Sequence, residues 1–212
     1  MKKIFFLFLF VFLVDSNFPA WADTVFVKPQ GDYAKIDVDV SNSVTEILMD
    51  ETKNSHVKEK AALQIQKDPG SFTPMALLAL GCYNISGNNL SKGAFWCRAA
   101  IFRATVDLKI YPDPSLTDVI PVMFSTMKTC AQKHINTPEK FAIWEKELRN
   151  VSKVLVTWDK KTPRHYDDRW ACLHSARAFY DTHIQSVSRK EKDKIIAEEY
   201  RLFDIATKDE NP

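Results

Sequence analysis

The chain has 212 residues, with 29 Lys plus Arg set against 27 Asp plus Glu, a formal charge of +2. The two signs are interleaved and no basic stripe is visible, which argues against a nucleic-acid partner, because phosphate binding needs a basic surface. The length suits one ordinary domain with a substantial core.

The chain opens on Met1-Lys2-Lys3, then an unbroken apolar run of 11 residues from Ile4 to Val14, five of them Phe. Asp15 to Pro19 break the run, and Ala20-Trp21-Ala22 places small residues where signal peptidase cuts. Residues 1–22 read as a secretory signal peptide. The run is too short for a membrane helix, which needs about 20 apolar residues. No Cys follows it for lipid attachment. The expected product is a 190-residue soluble chain in a bacterial periplasm, with no membrane span.

Residues 23–212 read as a single all-α domain. Over 23–42, Ile36, Val38 and Val40 alternate with Asp37 and Asp39, a period-2 pattern expected to form a short extended arm. The helical body is expected over 43–207 as six to seven helices packed in antiparallel hairpins. All five Gly lie before residue 94, which suits helices joined by Pro, Asn and Asp turns.

Ser43 and Glu46 form a capping box for the first helix. A second helix covers Val57 to Gln66 and ends at Asp68-Pro69-Gly70. Pro74 opens a third whose core, Met75 to Leu80, is apolar all round and must be buried on most sides. Ser86 to Asn89 is a turn. Ser91 caps a fourth helix with Phe95, Ala99, Phe102 and Val106 on one face. A fifth lies between Pro112 and His134. Thr137-Pro138 starts a sixth, whose stripe of Phe141, Trp144, Leu148, Val151, Leu155 and Trp158 is the most regular in the chain. The next helix is expected after Asp167-Asp168, with Trp170, Leu173, Ala176, Tyr180 and Ile184 on one face. The last starts at a Ser188–Glu191 capping box and carries Ile195, Ile196, Leu202, Phe203 and Ala206.

The run Leu80-Gly81, Gly87, Ala94-Phe95-Trp96 and Ala99-Ala100 resembles one tetratricopeptide unit over residues 73–108. In that family small residues let two helices approach closely and aromatics fill the groove between units. Asn84 stands where the family has an aromatic, and Cys97 where an aromatic is usual. The resemblance implies a packed helical hairpin and not a long solenoid, since no second copy follows.

Cys82, Cys97, Cys130 and Cys172 are an even set in an exported chain and read as two disulfides. Cys82 and Cys97 flank the hairpin turn in mirrored order, so Cys82–Cys97 and Cys130–Cys172 are the expected pairs. No zinc spacing occurs, and neither metal nor cofactor is expected.

There is no Gly-x-Ser-x-Gly elbow, no His-Glu-x-x-His helix and no phosphate-binding Gly loop. Ser55/Lys58 and Ser125/Lys128 match Ser-x-x-Lys without its companion motifs. His165, His174 and Asp168 are the only acid–base set the sequence offers, and the spacing of nine between the two His is not one helical face. Arg103 and Asp107 are four apart on a helix and read first as an intrahelical pair; the sharper reading places Arg103 at a groove to grip an acidic partner. Three Asn-x-Ser tripeptides, at Asn84, Asn89 and Asn150, bear on glycosylation only in a eukaryotic source.

These readings favour a non-catalytic periplasmic protein that binds another protein, with an immunity protein against a periplasm-delivered toxin as the specific expectation. The alternatives are an envelope enzyme acting on peptidoglycan or a small metabolite, and a structural adaptor of an envelope complex. The expected partner contacts are Asn88 and Asn89 at the hairpin turn, Arg103, and Lys160, Lys161, Arg164, His165 and Tyr166 in the loop before Asp167.

Overall fold

The computed structural model describes residues 28–209, and over them the chain is all-α, with seven α-helices and no strand. The signal-peptide segment and residues 23–27 of the expected arm lie outside the described residues. None of the described helices is long and apolar enough to cross a membrane.

Helix α1 is Asp39–Met49, α2 Ser55–Lys67, α3 Pro74–Ser86, α4 Leu90–Ile110, α5 Val119–His134, α6 Pro138–Lys161 and α7 Arg189–Asp209. Short 3-10 turns lie ahead of α1 and in the α2–α3, α4–α5 and α6–α7 connections. Thr137 starts α6 as its sequence predicts, its hydroxyl accepting the Lys140 N–H at 3.3 Å ahead of Pro138. The Ser188 hydroxyl accepts the Glu191 N–H at 3.3 Å at the start of α7. Asn54 caps α2 by accepting the Val57 N–H at 2.9 Å. Asn89, not Ser91, caps α4, accepting the Lys92 N–H at 3.3 Å.

Two expectations fail locally. The period-2 segment is no strand: a 3-10 turn spans Tyr33–Lys35, and α1 starts at Asp39, four residues before Ser43. Asp37 accepts the Asp39 N–H at 3.3 Å beside the helix start; Ile36 and Val38 ahead of the helix are buried, and Val40 within it is exposed. The helix expected after Asp168 is instead two 3-10 turns, Trp170–His174 and Ala176–Phe179. Ser175 breaks it. Its backbone is extended, its hydroxyl accepts the Arg177 N–H at 2.9 Å, and its side chain also bonds Asp113. Such local side-chain bonding competes with the helical ladder.

The hairpin of α3 and α4 is the centre of the fold. Helices α1 and α5 lie against α3, α6 and α7 lie against α4, and α2 packs on α1 and α3. Helix α3 is buried along nearly its whole length, as its uniform apolarity requires. Close approach rests on two glycines. A Cβ on Gly81 would lie 2.5 Å from Cys97 Sγ and 3.0 Å from the Cys97 amide nitrogen. One on Gly93 would lie 2.6 Å from Ile85 Cγ1. Pairing of 81 with 97 and of 85 with 93 sets an antiparallel register. Gly81→Ala is therefore expected to push the two helices apart and cost about 1–3 kcal/mol in urea unfolding. An unchanged midpoint would show that the hairpin can separate freely.

That register also corrects the disulfides. The residue opposite Cys97 is Gly81, and Cys82 sits one residue further round α3, about 100° away. Cys82 therefore faces α5 and pairs with Cys130, with Cα atoms 5.5 Å apart. Cys97 and Cys172 are buried free thiols. One disulfide stands among the described residues where two were expected, and its pairing matches neither expected bridge. The mirrored distance from the turn was right for the level of Cys97 along the hairpin and wrong for the face.

Candidate functional site

The least expected feature is a buried ionic cluster where α4, the end of α6, the segment 162–170 and α7 converge. Arg103 and Asp107 on α4 are both 0% exposed. They are not paired with each other. Arg103 donates from Nε to Asp159 Oδ1 at 2.7 Å, from Nη1 to the Pro69 carbonyl at 3.1 Å and from Nη2 to the Thr162 carbonyl at 2.8 Å. Its guanidinium lies 4.6 Å from the centre of the Trp158 ring.

Asp107 takes a different cation. Its Oδ1 accepts from Arg164 Nη1 at 3.2 Å, and its Oδ2 accepts from Tyr166 OH at 2.8 Å and Trp170 Nε1 at 2.9 Å. Arg164 also donates from Nη2 to Asp159 Oδ2 at 2.9 Å, where Tyr200 OH of α7 arrives at 2.8 Å. Two arginines and two aspartates are thus interlocked, as a buried ionic group must be to offset desolvation.

The two carboxylates differ. Burial opposes the charge on Asp159, but the guanidiniums of Arg164 and Arg103 outweigh it and hold the group below its ordinary range. Burial dominates at Asp107 and pushes it up to about 6, against the attraction of Arg164. Tyr166, buried, is driven well above its ordinary value by desolvation and stays a donor.

Beside the cluster, an open cleft of about 410 Å³ lies between the start of α1 and the segment after α6, lined by Asp37, Val40, Ser41, Ser71, His165 and Asp167, among others. Most of its polar groups are engaged. Asp167 accepts from Arg169 Nε at 2.8 Å and Nη2 at 2.6 Å, and from the Asp37 N–H at 3.2 Å. The Ser41 hydroxyl accepts the Thr73 N–H at 3.0 Å, and Ser71 donates to Asp68 at 2.6 Å. His165 is exposed at the rim, its backbone N–H bonded to the Gly70 carbonyl at 2.7 Å.

The residues named from the sequence separate into two groups. Asn88, Asn89, Lys160, Lys161 and His165 are exposed. Arg103 and Tyr166 are buried and Arg164 is 17% exposed at its side chain, so these three brace the interior and do not present a contact surface. Two of the acid–base residues have other contacts. Asp168 accepts from Tyr111 OH at 2.5 Å and pairs with Lys192, and His174 stands edge-on to Trp170 with ring centres 6.3 Å apart. Among the described residues no group of three His, Cys, Asp or Glu is placed to hold a metal ion.

Sequence reasoning missed Asp159 and the Phe179–Tyr180 pair. Asp159 had a signal, since it follows Leu155 by four and so shares the apolar face of α6. Phe179 and Tyr180 had none, because their exposure follows from the broken helix. They are 44% and 76% exposed at the end of the second 3-10 turn. That turn is held by the Ser175–Asp113 bond and by the Ala176 N–H on the Ser115 hydroxyl at 3.1 Å. No family model matches the chain, and neither does any curated protein or solved structure.

Proposed function

We propose that this chain is an exported, non-catalytic protein-binding protein, and within that class an immunity protein that neutralises an antibacterial toxin reaching the periplasm. The observation that carries the reading is the exposed Phe179–Tyr180 pair on a turn fixed by side-chain hydrogen bonds. Adjacent exposed aromatics on a preorganised turn supply contact area at low entropic cost, and Tyr is enriched where binding energy concentrates. The interior charges support it too. They are spent on bracing the segment 162–170 against α4, α6 and α7, and a rigid scaffold is what a tight inhibitor requires. Lys160, Lys161 and His165 extend the same reading to the end of α6 and the cleft rim.

The test is contact killing between otherwise identical strains. A deletion mutant grown against its parent is expected to be killed, and to be rescued by periplasmic expression of this protein. Expression of the double variant Phe179→Ser/Tyr180→Ser, folded by circular dichroism, is expected not to rescue. Survival of the deletion mutant while the parent's toxins are shown to be delivered would sink the immunity reading. A partner recovered from unstressed cells would point to an envelope adaptor instead.

A further inference from the structure

The buried cluster contains one carboxylate that its cations serve poorly. Asp159 takes bonds from two arginines and Tyr200 at 2.7–2.9 Å. Asp107 takes one arginine bond, at 3.2 Å, and two bonds from neutral donors, Tyr166 and Trp170. Both aspartates are buried. Where two cations are shared unequally between two enclosed anions, the less compensated anion binds a proton first. The surroundings of Asp107 reinforce the ranking. On its own helix, Arg103 is directed to Asp159. From the segment after α6, Asp168 adds a second negative charge, itself bonded to Tyr111 and to Lys192 of α7. From α6 comes Asp159, and Tyr200 of α7 reaches only Asp159.

Three of the contacts that fix the segment Arg164–Trp170 to α4 end on this one carboxylate: Arg164, Tyr166 and Trp170. The segment's other ties include the bond from Arg164 to Asp159, the two backbone bonds to the Gly70 carbonyl, the Asp168 carboxylate on Tyr111 and Lys192, the Asp37 N–H on Asp167 and the Arg169 guanidinium on the Lys35 carbonyl. The same segment forms one wall of the cleft, through His165, Tyr166 and Asp167.

We propose that Asp107 is a proton-operated latch for the segment Arg164–Trp170: ionised, it clamps the segment to α4, and on taking a proton from solvent it releases Arg164 to its remaining partner, Asp159. Protonation converts one Asp107 oxygen to a hydroxyl. The ionic bond of Arg164 to Oδ1 is lost, and Oδ2 remains an acceptor for Tyr166 and Trp170. The upward displacement of Asp107 to about 6 places the event within the range an exported protein meets. The latch does not depend on what the protein binds.

The Trp170 indole N–H is a direct reporter, since it donates to Asp107. In 15N-labelled protein its resonance, identified by its loss in Trp170→Phe, is expected to shift in a single transition centred within about one pH unit of 6. The shift is expected to be flat in Asp107→Asn. The Asp107 carboxyl 13C resonance in the unsubstituted protein is expected to follow the same curve, which keeps the test open should Asp107→Asn fail to fold. Hydrogen-exchange protection of the amides of 164–170, corrected for the intrinsic pH dependence, is expected to fall at least threefold between pH 7.5 and 5, while α3 amides keep theirs. A carboxyl carbon that reports the ionised form down to pH 4.5 overturns the proposal. So does an indole transition that persists in Asp107→Asn, or a titrating Asp107 with unchanged protection of 164–170.

Discussion

Replacing Arg103 by Met should lower the unfolding free energy by about 3–5 kcal/mol, the cost of leaving a buried ionic partner uncompensated. The substituted side chain fits the volume of the aliphatic stem but donates nothing. Asp159 then keeps only Arg164 and Tyr200, and the carbonyls of Pro69 and Thr162 lose their donor in the interior. An unpaired buried acceptor costs about 1–3 kcal/mol by itself. Arg103→Lys should recover little, because one ammonium cannot reproduce three donors aimed at Asp159 and two carbonyls. Pairing Arg103→Met with Asp159→Leu should restore part of the loss, since the stranded charge is then removed with its partner. Urea unfolding of the three variants checks this. A loss under about 1 kcal/mol for Arg103→Met would mean that water enters and solvates Asp159. The site would then not be the sealed cluster described.

Removing the disulfide with Cys82→Ala/Cys130→Ala should cost about 2–4 kcal/mol, the usual range for a bridge that closes a long loop. The bridge spans a sequence separation of 48 residues and ties α3 to α5. Apart from Met123, α5 buries no residue, so the covalent tie is expected to be a main restraint on it. For a chain of this size each kcal/mol should appear as roughly 2–4 °C in the melting midpoint. Peptide mapping of the native protein should recover Cys82 linked to Cys130, with Cys97 and Cys172 as thiols that react only after unfolding. Burial pushes both thiols up to about 12, so neither is a ready nucleophile. Recovery of Cys82 linked to Cys97 would require α3 to be rotated by about a quarter turn from the orientation described.

The chain by itself determined the class and most of the helices. The apolar stripes of α4 and α6, the Pro at the first turns of α3 and α6, and the caps at Thr137 and Ser188 are local signals. They act over one or two turns, so no distant residue is needed to read them. The stripe on α6 was legible even though Phe141 stays exposed, because periodicity records which face is apolar and not how far a neighbour covers it. The 3-10 turns of 170–179 were not legible. Trp170 to Ile184 carries helical spacing, and the helix is broken at Ser175, whose hydroxyl bonds the Arg177 N–H locally and Asp113, sixty-two positions away, across the fold. The disulfide failed for a related reason. Distance from a turn gives the level of a residue along a hairpin, whereas the face of α3 that meets α4 is chosen by where Gly81 and Gly93 permit contact.

The buried cluster shows the same division at the candidate site. Arg103 and Asp107 stand four apart on one helix, and sequence alone makes them partners. The fold gives each a different one, because in a low-dielectric interior a charge goes to whichever opposite charge and donors the packing brings within about 3 Å, and α6, the segment 162–170 and α7 bring Asp159, Arg164, Tyr166, Trp170 and Tyr200 there at once. Hydrophobic periodicity is a property of a segment. The pairing of buried charges is a property of the places where segments meet, and it was decided only when the helices had packed.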